Sequence, residues 1–501
     1  MRFKKSLDHL LLETSENGEH TFKRTLGLWN LIALGVGAII GAGLFVRTAA
    51  AASEHAGPSV TLGFILAAIG CALAGLCYAE FASMIPVSGS AYTYTYATMG
   101  EVVAWVVGWD LVLAYSVSSA TVAVSWSEYL NKLLERFGTS IPYELCHSPF
   151  QTSADGVQGI ANLPAFFIVA IVSLLLIRGT RESMTLNNIM VIVKVAIVII
   201  FIVIGWSFIN PINHASYIPE NISETMVING EMSLWMYITS GEFGKFGWGG
   251  IVCAAGVVFF AFNGFDAVST AAQEAKNPSK DMPIAILGVL GICTVLYIFF
   301  GHVLTGVAHY TEFGSVGQEA SVAYAIETYM HNYQWLSVSI TVAILAGFTS
   351  VILVMLLGQS RIFYTMSQDG LMPKVFSDLH AKFRTPYKSN FIFFLFVGVI
   401  AAVVPVDVVG KMTSIGALFA FTLVCLGILI LRKTDPDRHR PFKTPLMPFV
   451  PILGIIVCAA MMLGLGRDSW VQLAIWTTIG FVIYLTYGVK NSVIRKAQRK
   501  K

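Results

Sequence analysis

The chain has 501 residues and a formal net charge of +3, yet 55% of its residues are hydrophobic and only 12% are charged. Soluble domains carry roughly 25% charged residues. A water-soluble fold of this size would lack the polar surface to cover itself, which excludes the soluble classes and with them a nucleic-acid partner.

In chain order, residues 1–26 are rich in charge and lack the apolar core and small-residue cleavage site of a signal peptide. Phe3, Leu7, Leu10 and Leu11 share one helical face beside Lys4 and Lys5. That pattern predicts a short amphipathic helix on the membrane surface, with an unstructured tail as the alternative. Apolar runs long enough for a ~30 Å hydrocarbon core then recur near 28–51, 57–80, 101–130, 163–179, 184–208, 248–273, 282–307, 335–365, 389–405, 407–431, 447–465 and 470–489. We number them spans 1 to 12. Each must be helical, because backbone groups in lipid need partners within their own segment. The predicted organisation is a cytoplasmic N-terminal segment (1–26), a ten-span core (27–433), two peripheral spans (434–489) and a basic tail (490–501).

Basic residues orient the spans. With the N-terminus inside, the outer side holds Arg47, Lys132, Arg136, Lys245, Lys411 and Arg467, Lys194 lies within the membrane, and the other 25 of 32 Lys and Arg are inside. This bias predicts that both termini are cytoplasmic. Of the seven cysteines only Cys146 falls in a loop, and none has metal-ligand or disulfide-framework spacing.

Two spans look broken. Span 1 contains Gly35-Val-Gly-Ala-Ile-Ile-Gly-Ala-Gly43, and span 6 contains Phe259-Phe-Ala-Phe-Asn-Gly-Phe-Asp266. Glycine weakens a helix interior by ~1 kcal/mol relative to alanine. Freed backbone at mid-membrane depth is tolerated only beside protein or a water-filled cavity. Each break falls in the first span of a block of five, and two blocks of five have opposite topologies because five is odd. This is the pattern of an inverted-repeat transporter with its site between two discontinuous helices. Half-helix N-termini suit an anion and freed carbonyls suit an ammonium group, so a zwitterion such as an amino acid fits. For span 1 alone a small-residue packing face is the competing reading, since Gly37 and Gly41 are four apart.

Lys194 stands in the apolar run Met190 to Ile200 of span 5. A lysine at that depth costs at least ~2.5–3.5 kcal/mol, so it is read as functional. It is either a proton-coupling group or a cation tied to freed carbonyls of span 1. Asp110 lies early in span 3. Glu80 and Glu274 lie at the inner ends of spans 2 and 6, as inner-gate partners or as interfacial helix-end charges. Asp266 is read as a cap on the second half of span 6, with substrate contact as the alternative.

A series of stretches then becomes recognisable. They are Gly35 to Phe45; Tyr78-Ala-Glu-Phe-Ala-Ser-Met-Ile-Pro-Val-Ser-Gly-Ser-Ala-Tyr92; Gly264-Phe-Asp-Ala-Val268 with Glu274-Ala-Lys-Asn-Pro278; Leu357-Gly-Gln-Ser-Arg-Ile-Phe-Tyr364; and Thr413-Ser-Ile-Gly416 followed by Arg440-Pro-Phe442. In this order the chain resembles the amino acid–polyamine–organocation superfamily, in particular its cationic-amino-acid-transporter-like branch and bacterial amino acid permeases. The resemblance implies an all-α membrane protein with a LeuT-like five-plus-five inverted-repeat core and two peripheral helices. It implies a substrate carboxylate on amides around Gly41, Ala42 and Gly43. It implies a substrate amine on carbonyls near Ile39 and Ile40 and on the span 6 break at Phe260, Ala261 and Asn263, with Phe260 as an aromatic lid. Lys194 matches the lysine that, in proton-driven relatives, occupies the place of a sodium ion, beside Gly37 and facing Thr349 and Ser350. The chain departs from the branch at Leu113-Ala114-Tyr115, where the branch carries Leu-Glu-Tyr; Asp110, one turn away, is the candidate replacement. Asn263 replaces a common aliphatic residue, and Gln273 replaces a frequent glutamate.

The expected function is secondary transport of an amino acid across a bacterial plasma membrane by alternating access, with a proton as coupling ion and no bound cofactor or metal. A neutral substrate is favoured over a cationic one or an exchange reaction. A channel would need a continuous polar pore, and no cluster of nucleophile, base and metal ligands suggests an enzyme.

Overall fold

The computed structural model describes residues 3–7, 10, 24–153, 155–222, 244–316 and 321–499. The described residues are almost entirely helical, with two isolated bridges and no strand among them. Among the described residues, eight helices are long and apolar enough to cross a membrane, and there are four shorter apolar ones, Leu28–Ile39, Leu163–Arg178, Tyr387–Val403 and Phe449–Leu463. These fall on the expected spans. Lys5 pairs with Asp369, Arg495 pairs with Glu101, and the Val493 amide donates to Asp369 O. The two ends of the chain therefore meet at one end of the bundle, as an even number of crossings requires.

The packing has a regular logic. Span 2 packs on span 7, span 3 on span 8 and span 4 on span 9, so each pairs with the span five places on. Span 1 lies on span 7 as span 6 lies on span 2, and span 3 lies on span 10 as span 8 lies on span 5. Two blocks of five related by one operation would pack in this way. Span 11 rests on spans 2 and 10, and span 12 on spans 3 and 10. Span 12 is stapled to span 3 by indoles: Trp109 stacks on Trp476 at 4.6 Å, each indole N–H donates to the other residue's carbonyl, and Trp105 donates to Gly480 O.

The amphipathic reading of the N-terminal segment needs correction where it is described. Lys5 is buried, with its ammonium 2.6 Å from Asp369, whose other oxygen accepts from Tyr92 at 2.7 Å. Phe3 O accepts from the Glu101 amide, and the Arg495 guanidinium lies over the Phe3 ring. This stretch is held to the protein rather than laid on lipid headgroups. Leu11 lies outside the described residues.

Candidate functional site

Span 1 is interrupted as the glycines imply. The helix Leu28–Ile39 ends with Ile40 in extended backbone, Gly41 follows outside the helical region, and a new helix begins at Ala42. Span 6 runs as Gly247–Val258, tightens into a 3-10 turn at Phe259–Phe262, becomes extended at Asn263, and resumes at Ala267–Thr270. The two breaks touch. A Cβ on Gly43 would sit 2.2 Å from Ala261 Cα, so only glycine admits this backbone approach. Gly264 has φ +117° and faces Ala38 of span 1, where a Cβ would come within 2.8 Å.

A helix break strands carbonyls and amides that lipid cannot satisfy. The structure shows what meets them. Lys194, fully buried, donates from Nζ to Gly37 O, Ile40 O and Ser350 Oγ, each at 2.8 Å. Ser350 in turn donates to Gly37 O or Gly347 O. Hydrogen bonds from a charged donor contribute about 1.5–3 kcal/mol each, so two of these already offset the cost of placing the lysine there. The Tyr297 hydroxyl of span 7 lies 2.9 Å from both Ile39 O and Ala261 O and so joins the two breaks. With one proton to give, it serves one carbonyl at a time.

Ala42 and Gly43 open the second half of span 1, where their amides have no intrahelical acceptor. Phe260 lies across from them, with the Arg47 guanidinium 5.9 Å above its ring. The Asn263 side chain is buried, and neither its oxygen nor its nitrogen finds a partner.

Several expectations are revised. Asp266 occupies the N-cap position of Ala267–Thr270, but its side chain makes no cap bond; one oxygen accepts from Tyr115 at 2.6 Å. The Thr349 hydroxyl donates to Leu345 O one turn away, and the span 8 side chain bonded to Lys194 is Ser350. Asp110 is buried, and its side chain lies beside Thr477 of span 12 rather than at either break. Ala114 packs beside Gly416 of span 10.

Glu80 and Glu274 do not partner one another. Glu80 accepts both arms of Arg432 at 2.9 Å, and its carboxylate lies 3.1 Å from Arg440 and 2.7 Å from the Thr444 amide, which anchors the link between spans 10 and 11. Glu274 forms a fully buried ion pair with Arg361 of span 8. Its backbone oxygen accepts from the Thr25 and Leu26 amides, and the Lys276 amide donates to Leu26 O. The entry to span 1 and the exit of span 6 are thus zipped together at the end bearing the termini.

Tyr297, Arg361 and Asn187 were not singled out from the sequence. Asn187 lies seven residues before Lys194 on the same face of span 5 and donates to Ala33 O of span 1. That two-turn spacing was the available signal.

A membrane bundle with two apposed helix breaks, one clamped by a buried lysine, defines a solute carrier. The profile of the family described as "Amino acid permease" matches residues 26–486. Relatives include the branched-chain amino acid permease BcaP of Bacillus subtilis (strain 168), 40% identical over 98% of each chain. The methylthioribose transporter of the same organism is 35% identical over 98% of this chain and 99% of its own. The vacuolar cationic amino acid transporter 4 of Arabidopsis thaliana is 32% identical over 84% of this chain and 65% of its own. The chain belongs to the amino acid permease family of the amino acid–polyamine–organocation superfamily. It is a multi-pass membrane protein of amino acid transport, not an enzyme.

Proposed function

We propose that the protein is a proton-coupled secondary transporter of neutral amino acids in a bacterial plasma membrane, with both termini cytoplasmic, and that it works by alternating access between the two broken spans. The substrate carboxylate would take the amides of Gly41, Ala42 and Gly43. The ammonium would take carbonyls of the breaks at Ile39, Ile40, Phe260, Ala261 and Asn263, under the Phe260 ring. The ten-span core over 27–433 would carry the cycle, with 434–489 peripheral.

The observation that carries this reading is the triple clamp of Lys194 on Gly37, Ile40 and Ser350. Only the protonated amine brings a full charge to those acceptors, so losing the proton would weaken every bond between span 5 and the break of span 1. Span 1 would then be free to swing at its zipped end, where Glu274 and Arg361 would part. Protonation from the side of higher proton activity would reset the clamp and couple solute movement to the proton gradient. A neutral substrate is favoured because Ala114 leaves span 3 without a carboxylate at the position that would suit a cationic side chain, and Asp110 faces span 12.

Uptake into proteoliposomes tests this. A labelled branched-chain amino acid should accumulate when the interior is made alkaline, and a protonophore should abolish the accumulation. Excess unlabelled leucine or valine should compete, and arginine should not. Arginine uptake exceeding leucine uptake would refute the substrate class, and accumulation indifferent to the protonophore would refute the coupling.

A further inference from the structure

At the end bearing both termini, a cavity of about 650 Å³ opens between the turn after span 8 and the end of span 12. Its size is that of a small-ligand site, about 300–1,000 Å³, and nothing in the transport cycle uses it. Lys374 and Lys496 bring two ammonium groups to its lining. The single carboxylate of that lining, Asp378, is already taken by Lys388 at 2.6 Å. The lining therefore carries an excess of positive charge.

Its walls are fixed. The Ser367 hydroxyl lies within hydrogen-bonding reach of Pro373 O at 2.8 Å and Ser377 Oγ at 3.0 Å, and the Val493 amide donates to Asp369 O at 3.0 Å. Tyr387, at the start of span 9, and Tyr487, at the end of span 12, both line it. That is the depth at which tyrosine belts meet lipid headgroups, and basic pockets between spans at that depth recognise anionic headgroups. Met372, Leu379 and Val493 add apolar wall, suited to the glycerol and upper acyl carbons of the same molecule.

We propose that this cavity binds the phosphate headgroup of an anionic phospholipid, with Lys374 and Lys496 as the charged contacts. A zwitterionic headgroup brings its own cation and would gain little from them. Because Val493 of the tail is tied to Asp369 of span 8, an occupied site would brace the end of the bundle that carries both termini. The proposal is independent of the Lys194 reading.

The test is thermal unfolding of the full-length protein in neutral detergent with added phosphatidylglycerol, phosphatidylcholine or soluble glycerol phosphate. Phosphatidylglycerol should raise Tm saturably by several degrees, as a ligand of the folded state must, while phosphatidylcholine should not. The double substitution Lys374→Gln, Lys496→Gln should remove most of that rise and leave Tm in phosphatidylcholine unchanged, and the Lys374→Arg, Lys496→Arg pair should keep it. An equal rise with both lipids, or an undiminished rise in the glutamine pair, would overturn the proposal. A rise reproduced by glycerol phosphate at the same concentration would mean that the site takes the free phosphate ester, which would overturn the lipid assignment.

Discussion

The breaks in spans 1 and 6 face each other at one depth, yet they are held in different ways. In span 1 the stranded oxygens of Gly37 and Ile40 are taken by the Lys194 ammonium. In span 6 the Ala261 oxygen receives a neutral hydroxyl from Tyr297, Asp266 receives another from Tyr115, and the amide of Asn263 is left unmatched. A tyrosine hydroxyl keeps its proton across the physiological range, so the Tyr297 link to Ala261 O does not depend on proton activity. The span 1 break is held by a group whose bonds depend on a single proton. On the proposed function, this asymmetry would make span 1 the moving, proton-responsive partner and span 6 the side that presents unfilled polar groups to a substrate.

The largest expected effect comes from breaking the contact between the two. Gly43→Val would drive a side chain into the Ala261 backbone. Transport should fall to background, with the protein still recovered from membranes by size-exclusion chromatography. Tyr297→Phe removes a hydroxyl shared by both breaks. Interhelical hydrogen bonds in membranes contribute about 0.6–1.7 kcal/mol, so the uptake rate should drop about threefold to twentyfold with substrate recognition retained. Asn263→Leu sharpens the other half of the comparison. It replaces an unpartnered buried amide, so Tm should rise, by an amount corresponding to about 1 kcal/mol, while uptake of serine or threonine falls relative to leucine.

The smallest effect lies outside the membrane. In the loop after span 5, burial and the neighbouring His302 ring hold the His214 imidazole down at about 4. The unfolded chain binds that proton near pH 6.5. Between those values the unfolded state holds more protons, and stability is lost as pH falls. Lowering pH from 7 to 5 should therefore cost the native protein slightly more Tm than it costs His214→Gln.

Much of this architecture was legible in the sequence, because the bilayer imposes a coarse code. Uncharged runs gave the spans, clustered glycines gave the break in span 1, Asn263, Gly264 and Asp266 at mid-span gave the break in span 6, and Lys194 stood out as a charge inside the apolar run Met190 to Ile200. The missed groups are those whose partners come from distant spans. Tyr297 and Arg361 look ordinary locally, and only packing brings them to Ile39, Ala261 and Glu274. Thr349 and Ser350 are adjacent in sequence, but neighbouring helical positions point about 100° apart, so only Ser350 reaches the lysine. Asp266 had the right position for a cap, but Tyr115 competes for its carboxylate. Lys5 was read by its charge alone, and its tie to Asp369 spans most of the chain.

The most direct test separates exchange from accumulation. Proteoliposomes carrying Lys194→Met should still exchange internal for external labelled leucine, but should no longer concentrate it when a pH gradient is imposed. A variant that concentrates leucine as the native protein does, with the same dependence on the gradient, would contradict the assignment of Lys194 as the proton-responsive clamp.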